Sequence, residues 1–336
     1  MKSIINMHHG AGGKDFDQLM QKIILPALDN PYLQELSDGA ILGPQKGRLV
    51  MATDAHVVSP RQFPGGNLGK LAFCGTVNDL AVMGARPLYL TMGMIIEEGL
   101  SLEELQIHLA EIGGLSKKWG IPVVAGDTKV VERGKGDGLF ITTSGLGSIE
   151  NSQVFPDNKS IAPGDSIIIN GAIGNHGIAV LSQRENLNFF CDILSDCAPL
   201  HEIILSLWQR FAGVKCMRDP TRGGVAAVLN ELANAANVEM EIFEGQIKVD
   251  QGVRSACELL GLDPLLLANE GKFILFAPPQ DAENIIQLMQ THEFGRDAHI
   301  IGKVHKAESP LVRSTTALGG NRIIPWPNGE QMPRIC

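Results

Sequence analysis

The sequence predicts an α/β (α+β) protein of two domains followed by a flexible tail, and three observations support this class. The chain has 336 residues, about twice the length of a typical domain. Short buried apolar runs alternate with stretches of apolar residues at helical spacing in both halves of the chain. Between the halves, residues 151–164 are polar and contain two prolines and a glycine, which is typical of a linker. We expect domains at residues 1–150 and 160–310 and a tail at residues 311–336.

Composition and charge argue against several classes of function. The apolar fraction of 44% and the charged fraction of 19% are those of an ordinary globular protein. The net charge of −9 disfavours a surface for nucleic acid or for an anionic membrane. No apolar run has the length of a membrane-spanning helix, and the N-terminus lacks the apolar stretch of a signal peptide. The six cysteines form neither a CxxC pair nor metal-finger spacing, so we expect reduced thiols in a cytoplasmic protein.

In the first half, apolar residues three and four positions apart predict three helices, and continuous apolar runs predict four strands. The third helix opens with Ser101 and Glu104, which stand at capping-box spacing. The first strand runs out into Asp54, and the third leads into Asp127. The helices are expected at residues 16–27, 68–81 and 101–119, and the strands at residues 48–53, 88–96, 122–125 and 139–147.

The second half shows the same alternation of strands and helices. The strands are expected at residues 166–170, 239–243, 272–277 and 299–304, and the helices at residues 177–186, 198–212, 224–237, 252–260 and 280–292. We expect no regular structure beyond about residue 310.

The last eleven residues carry two prolines and a glycine, show no periodic apolar pattern and end on Cys336. Such a segment buries too little apolar surface to offset the entropy of ordering, which predicts a mobile arm. Taken alone, a terminal cysteine is more often incidental than functional. Its meaning therefore depends on whether the rest of the chain could act on that thiol.

Four aspartates stand beside glycine or at the ends of predicted strands and helices: Asp54, Asp79, Asp127 and Asp219. The usual nucleotide motifs are absent, since residues 65–71 have the wrong glycine spacing for a P-loop and leucine in place of the magnesium-binding hydroxyl. Carboxylates from separate elements could instead hold Mg²⁺ with a nucleoside triphosphate. Singly, each is more often a turn or N-cap residue, and Asp219 before Pro220 resembles an N-cap.

Other side chains near these aspartates could take part in chemistry or could be structural. Lys129 and Arg222 could neutralise a transferring phosphoryl group, or could form surface ion pairs. Glu270 could be a base or a loop residue. Cys74 follows Phe73 on an apolar helix and is expected in the core.

Motifs at both ends and in the middle of the chain resemble a known family. Residues 75–87, with the sequence GTVNDLAVMGARP, look like the signature of the aminoimidazole-ribonucleotide-synthetase-like ATP-binding superfamily. That superfamily includes selenophosphate synthetase and thiamine-monophosphate kinase. Residues 9–13 (HGAGG), 219–224 (DPTRGG) and 333–336 (PRIC) resemble the HypE family of [NiFe]-hydrogenase maturation factors. This resemblance covers nearly the whole chain, and the terminal PRIC is its most specific part.

The resemblance implies a homodimer in which the sheets of the N-terminal domains meet, with ATP and Mg²⁺ as cofactors. The residues implied for the metal are Asp54, Asp79, Asp127 and Asp219. The residues implied for the nucleotide are Gly10, Gly12, Gly13, Asn78, Thr128, Arg222 and Gly223. Lys129 and Glu270 match the residues that would contact the carboxamide and help to remove its protons.

The resemblance also implies a reaction on the terminal thiol. The carbamoyltransferase HypF would place a carbamoyl group on Cys336. ATP would then phosphorylate the carboxamide oxygen, phosphate would leave, and loss of protons from nitrogen would give a thiocyanate. The cyanide would pass to iron held by the HypC–HypD complex.

Two kinds of alternative function, another enzyme of the same fold or a non-catalytic carrier, differ from this one in what they require. A selenophosphate synthetase would need a nucleophilic Cys or selenocysteine in the N-terminal glycine loop, where this chain has His8, His9 and Lys14. A thiamine-monophosphate kinase has no use for a terminal cysteine. A non-catalytic carrier of the carbamoyl group would not need the four aspartates.

Overall fold

The structure, a computed structural model, describes residues 4–34, 38–151, 155–185, 187, 193–316 and 319–328. Cys336 lies outside the described residues, so the prediction of a mobile arm at the end of the chain is not tested. Among the helices in the described ranges, none combines the length and apolar character needed to cross a membrane.

The N-terminal part of the chain forms a four-stranded sheet with helices on one face. The helices are α1 (Lys14–Leu19), α2 (Leu25–Leu28), α3 (Pro31–Gln34), α4 (Leu68–Val82) and α5 (Leu102–Trp119), and a π-helical turn at Met20–Ile24 joins α1 to α2. The strands are β1 (Arg48–His56), β2 (Gln62–Phe63), β3 (Gly66–Asn67), β4 (Arg86–Glu97), β5 (Val123–Val131) and β6 (Leu139–Ile149). The sheet has the order β1-β6-β4-β5, so β1 and β5 form its two edges.

The local sequence explains where these elements begin and how they pack. The Asn67 side chain caps α4, and the Ser101 hydroxyl accepts a hydrogen bond from the Glu104 N–H at 3.0 Å at the start of α5. Helix α4 is buried on nearly every side, which fits its apolar sequence, and Cys74 is in the core as predicted. Residues in β1 alternate, with Leu49 and Met51 exposed on the outer face of the sheet.

The C-terminal part forms a seven-stranded sheet of order β13-β12-β9-β11-β7-β10-β8. Its strands are β7 (Ser166–Ile169), β8 (Cys216–Arg218), β9 (Glu239–Phe243), β10 (Ile274–Ala277), β11 (His299–His305), β12 (Leu311–Thr315) and β13 (Asn321–Ile323). Its helices are α6 (Asn175–Arg184), α7 (His201–Arg210), α8 (Gly224–Ala236), α9 (Gln251–Leu260) and α10 (Pro279–Gln290).

The prediction that no regular structure follows residue 310 is wrong. Strand β12 pairs in parallel with β9, and β13 pairs with β12. The apolar pattern that would predict β12 is weak because this strand has few apolar residues. Polar contacts with β9 hold much of it in place. Arg313 lies 2.6 Å from the Glu239 carboxylate and 2.7 Å from that of Glu241, both on β9. The sheet therefore extends into the segment predicted as tail.

The two halves of the chain share their cores. One cluster of buried apolar side chains combines Leu80 and Val82 from α4 with Ile203 and Leu207 from α7. A second cluster joins Cys197 to residues of the N-terminal part. Shared packing of this kind fixes the orientation of the halves, because dense interiors resist sliding.

Candidate active site

A cavity of about 970 Å³ lies at the junction of the two halves. Strand β1 contributes Asp54 to its wall, and the last turn of α4 contributes Asp79. Loops of the C-terminal half contribute Asp219, Arg222 and Glu270. Five of the residues predicted from the sequence, including three of the four aspartates, thus share one cavity.

Two simple periodicities bring Asp54 and Asp79 together. Asp54 is on the inner face of β1, since Thr53 and Ala55 beside it are exposed on the other face. A Cβ atom at Gly75 would lie 3.0 Å from Asp54 Oδ2, so the glycine lets this carboxylate lie against α4. Asp79 follows Gly75 by four residues and therefore projects from the same side of the helix.

These carboxylates repel one another in a buried setting. The pKa of Asp79 is raised to about 8, mainly by burial and also by the charges of Asp219 and Asp54, while Arg218 opposes the shift. Burial is also the main reason why the pKa of Asp219 is raised. A cation bound in the cavity would relieve this repulsion.

The donor set fits Mg²⁺ that arrives with a nucleotide. Within the described ranges, no three His, Cys, Asp or Glu side chains already stand close enough to hold a metal ion. Mg²⁺ usually keeps several waters and takes only one or two protein carboxylates together with phosphate oxygens. Asp54, Asp79 and Asp219 offer that type of ligand, so they would hold the ion.

Glu270 is a further acid of the cavity with a raised pKa. Its side chain is only 5% exposed, and Oε1 has no hydrogen-bond partner in the described part of the chain. Burial raises its pKa well above the usual range, and the charges of Cys197, Asp219, Asp196 and Asp54 add to the effect. A buried carboxyl oxygen without a partner beside a cavity indicates that a ligand group pairs with it.

The loop at residues 219–224 is fixed from the interior. The N-cap of α8 is Gly223 in a left-handed conformation (φ 76°), so the interpretation of Asp219 as an N-cap is wrong. The fully buried Asn269 side chain donates to Pro220 O at 3.1 Å and accepts from the Gly174 N–H at 2.8 Å. These bonds hold Asp219 and Glu270 on adjacent loops.

Several other predicted residues form a second group on and beside β5. Asp127 and Lys129 are exposed on the outer face of the sheet, where Lys129 Nζ lies 2.7 Å from Asp127 Oδ1. This contact with Lys129 is the main reason why the pKa of Asp127 is lowered. Thr128 points inward and is buried.

Gly10 packs against β5, since a Cβ atom there would lie 2.8 Å from Val130 Cβ. Gly12 and Gly13 follow it and are exposed.

Four aspartates were predicted to meet at one site, and within one chain three of them line the same cavity. Strand register places Asp127 opposite Gly93, and through β6 on the same face as Ala55, whereas Asp54 is on the other face. Asp127 is also on the edge of the sheet farthest from β1. Within a single chain, Asp127 is therefore apart from the other three aspartates, and its assignment to the metal stays a prediction.

Comparison with known proteins identifies the family. The profiles of the N-terminal and C-terminal domains of AIR synthase related proteins match residues 36–149 and 162–313. The carbamoyl dehydratase HypE of Azotobacter vinelandii is 46% identical over 332 residues, which cover 99% of this chain and 97% of that protein. The chain belongs to the HypE family of carbamoyl dehydratases.

Solved structures of HypE proteins have the same fold as this chain. One HypE, crystallised in complex with ATP, matches with a TM-score of 0.94 at 41% identity, covering 98% of this chain and 99% of that one. A chain from the crystal structure of a HypE–HypF complex matches with a TM-score of 0.81 at 43% identity, covering 92% and 99%.

The Asn78 side chain has a structural role in this member of the HypE family. Its Nδ2 donates to Ala198 O at 3.0 Å, and its Oδ1 accepts from the Leu200 N–H at 2.7 Å. The amide thus joins α4 to the segment before α7. Its assignment to the nucleotide-binding set stays a prediction.

Several residues of this HypE-family site were missed from the sequence. Arg218 lowers the pKa of both Asp79 and Asp219, and its place directly before Asp219 was a usable signal. Asn269 and Asp196 form hydrogen bonds to the loops that carry Asp219 and Glu270. Their partners are distant in sequence, so no local pattern could have indicated them.

Proposed function

We propose that this chain is an ATP-dependent carbamoyl dehydratase that converts the S-carboxamide on its own Cys336 to a thiocyanate. The thiocyanate would supply cyanide for the iron of [NiFe]-hydrogenase. One observation carries the proposal: a single cavity is lined by three mutually repelling carboxylates and by the buried Glu270, whose Oε1 has no hydrogen-bond partner among the described residues. The relative crystallised with ATP and the relatives called carbamoyl dehydratases support it.

The chemistry explains why such a site is needed. An amide oxygen is a poor leaving group, so ATP transfers its γ-phosphoryl group to the carboxamide oxygen and releases ADP. The C–O bond then breaks, phosphate leaves, and the nitrogen loses both protons to give S–C≡N. Mg²⁺ held by Asp54, Asp79 and Asp219 would spread the phosphate charge.

Glu270 would assist in removing a nitrogen proton. A general base works best when its pKa is near the operating pH, and burial raises the pKa of this carboxyl. Its unpartnered oxygen would also orient the carboxamide nitrogen. Lys129, by the resemblance to the family, would contact the same group.

We extend the proposal to a homodimer. The outer face of the N-terminal sheet leaves Leu49, Met51 and Ile95 exposed, and it also carries Asp127 and Lys129. Packing this face against a second copy would bury the apolar side chains. It would also place the second group of predicted residues at a subunit interface, where they could complete a site that one chain leaves in two parts.

The partners follow from the same proposal. HypF would supply the carbamoyl group, and a relative found in a HypE–HypF complex supports this assignment. HypC–HypD would take the cyanide, and we expect all of these steps in the cytoplasm.

The C-terminal segment approaches the cavity of its own chain. Ile324 N–H donates to Val312 O at 2.9 Å, and Asn230 Nδ2 donates to Ile324 O at 3.2 Å. Pro327 then lies against Gly223, since a Cβ atom at Gly223 would be 3.3 Å from Pro327 Cγ. Cys336 is the ninth residue after Pro327, so the chain between them reaches about 30 Å when extended. We therefore propose that Cys336 reacts in its own chain.

Mass spectrometry of the C-terminal peptide tests the function. After incubation with HypF, carbamoyl phosphate and ATP, we expect a carbamoyl adduct on Cys336 that loses one water. The peptide without ATP should keep the carbamoyl group, and the Cys336→Ala peptide should carry neither adduct. An adduct that never loses water in the presence of ATP would favour the non-catalytic carrier.

Mixed dimers test the route of the thiol. A dimer of a Cys336→Ala chain with an Asp79→Asn chain has its only thiol on the chain with the damaged cavity. If each thiol reacts in its own chain, we expect this dimer to be inactive. The matched control is a wild-type chain paired with a Cys336→Ala/Asp79→Asn chain, which should keep about half of the activity. Equal activity of the two dimers would contradict the proposed route.

A further inference from the structure

A buried ion pair stands directly behind Glu270. Asp196 Oδ2 lies 3.0 Å from Lys272 Nζ, and the two side chains are only 7% and 13% exposed. The other oxygen of Asp196, Oδ1, accepts a hydrogen bond from the Glu270 N–H at 3.2 Å. The aspartate is thereby bound to both sides of the short segment that carries Glu270.

Backbone packing tightens this contact. A Cβ atom at Gly271 would lie 1.8 Å from Asp196 O, so only a glycine lets the two backbones approach so closely. Glu270, Gly271 and Lys272 therefore meet Asp196 in three different ways: a hydrogen bond, backbone packing and an ion pair. Such triple contact leaves the Glu270 backbone little freedom.

The segment that carries Asp196 is itself fixed to the N-terminal half. Ser195 N–H donates to Pro64 O at 2.8 Å. Asn78, the neighbour of Asp79, holds the backbone of Ala198 and Leu200. One short segment thus sets the position of Glu270 relative to the helix that carries Asp79.

The charge state of the pair agrees with this arrangement. Burial alone would raise the pKa of Asp196, but the Lys272 ammonium, His176 and hydrogen bonds outweigh it and lower the pKa. An ion pair is costly to bury, and an apolar pair of similar size would often be at least as stable. Its location beside Glu270 therefore favours a positional role over a contribution to stability.

We propose that Asp196, with Lys272 as its counter-ion, is the positioning residue that holds Glu270 in place for the reacting carboxamide. This inference rests on the proposed dehydratase function. Asp196 does not face the cavity and acts only through the Glu270 backbone, whereas Glu270 touches the substrate.

Kinetics of the intact enzyme provide the first test. We expect Asp196→Ala to lower kcat for dehydration roughly 10- to 100-fold, the scale of a small misplacement of a catalytic group, and to leave KM for ATP within about twofold. In a Glu270→Gln background, the same substitution should cause no further loss of kcat. An equal loss in both backgrounds would overturn the proposal, since Asp196 would then act independently of Glu270.

A matched ion pair controls for general destabilisation. Asp165 is also buried, and its carboxylate lies 2.8 Å from Lys215 Nζ in the same half of the chain, but neither residue lines the cavity. Asp165→Ala should keep the wild-type kcat in the folded protein. The conservative variant Asp196→Asn/Lys272→Gln should retain most of kcat, because it keeps an acceptor for the Glu270 N–H and removes both buried charges together. It also remains usable if Asp196→Ala does not fold.

Amide hydrogen exchange tests the positioning without any need for activity. We expect Asp196→Ala to speed amide exchange in residues 267–273 and to leave exchange in β7 unchanged. In Asp196→Asn/Lys272→Gln, exchange in both segments should stay as slow as in the wild type. Unchanged exchange at residues 267–273 in Asp196→Ala would overturn the positioning role. A wild-type chain that shows no dehydration would instead contradict the proposed function, and the exchange result would still decide whether Asp196 orders Glu270.

Discussion

Asp79→Asn is expected to lower ATP-dependent dehydration roughly 10²- to 10³-fold while carbamoylation of Cys336 continues. The substitution keeps the shape of the side chain but removes one of the three carboxylates that would hold Mg²⁺ in the cavity. Charge on the transferring phosphoryl group would then be poorly compensated. Mass spectrometry should therefore show the carbamoyl adduct accumulating without loss of water. Loss of carbamoylation as well would mean that Asp79 is needed for the fold.

The same variant should change how stability depends on pH. The pKa of Asp79 rises from 3.8 to about 8 on folding, so the folded chain holds a proton that the unfolded chain has lost between these values. The stability of the nucleotide-free protein should therefore fall as the pH rises from about 4 to about 8, by at most about 1.4 kcal/mol per pH unit from this group. Asp79→Asn should flatten that slope in thermal unfolding.

The exposed Asp38 offers a matched control for this charge change. Asp38→Asn should leave both the slope and the dehydration rate unchanged. A slope that stays steep in Asp79→Asn would show that other groups are responsible for it.

Glu270→Gln is expected to lower the dehydration rate roughly 10²- to 10⁴-fold, the range found for general acid–base groups. Glutamine has nearly the same size, but it cannot take the nitrogen proton. ATP affinity should stay close to that of the wild type, because the carboxylates assigned to the metal remain. Single-turnover measurement of water loss from the carbamoylated peptide would separate the chemical step from nucleotide binding.

The pH profile gives an independent check on Glu270. Burial raises the pKa of its carboxyl well above the usual range, so the ionised form grows as the pH rises. If Glu270 acts as a base, the wild-type dehydration rate should increase with pH as this carboxyl ionises. The residual dehydration rate of Glu270→Gln should not show that increase. A residual rate with the same pH dependence would assign the titration to another group.

Local sequence patterns predicted much of this fold and the meeting of some candidate site residues in one cavity. Alternation along β1 and the four-residue step from Gly75 to Asp79 are local features, and they are enough to bring two of the aspartates to one cavity. The separation of Asp127 from them depends on the strand order β1-β6-β4-β5, which no local pattern encodes.

Residues with distant partners escaped prediction for a related reason. Asp196 and Glu270 are 74 residues apart, and their hydrogen bond exists only because two loops meet in the folded chain. Likewise, β12 depends on pairing with β9 and on the two ion pairs of Arg313, since its own apolar pattern is short. Such contacts belong to tertiary structure, and propensity does not reveal them.

If Cys336 reacts in its own chain as proposed, the contact of Pro327 with Gly223 makes that reaction a matter of effective concentration. A thiol tethered by nine residues would remain in a small volume around its anchor, where its local concentration would be of millimolar order. The carboxamide therefore needs no affinity of its own for the cavity. We therefore expect that lengthening or shortening the tether would change the rate without any change in the residues that perform the chemistry.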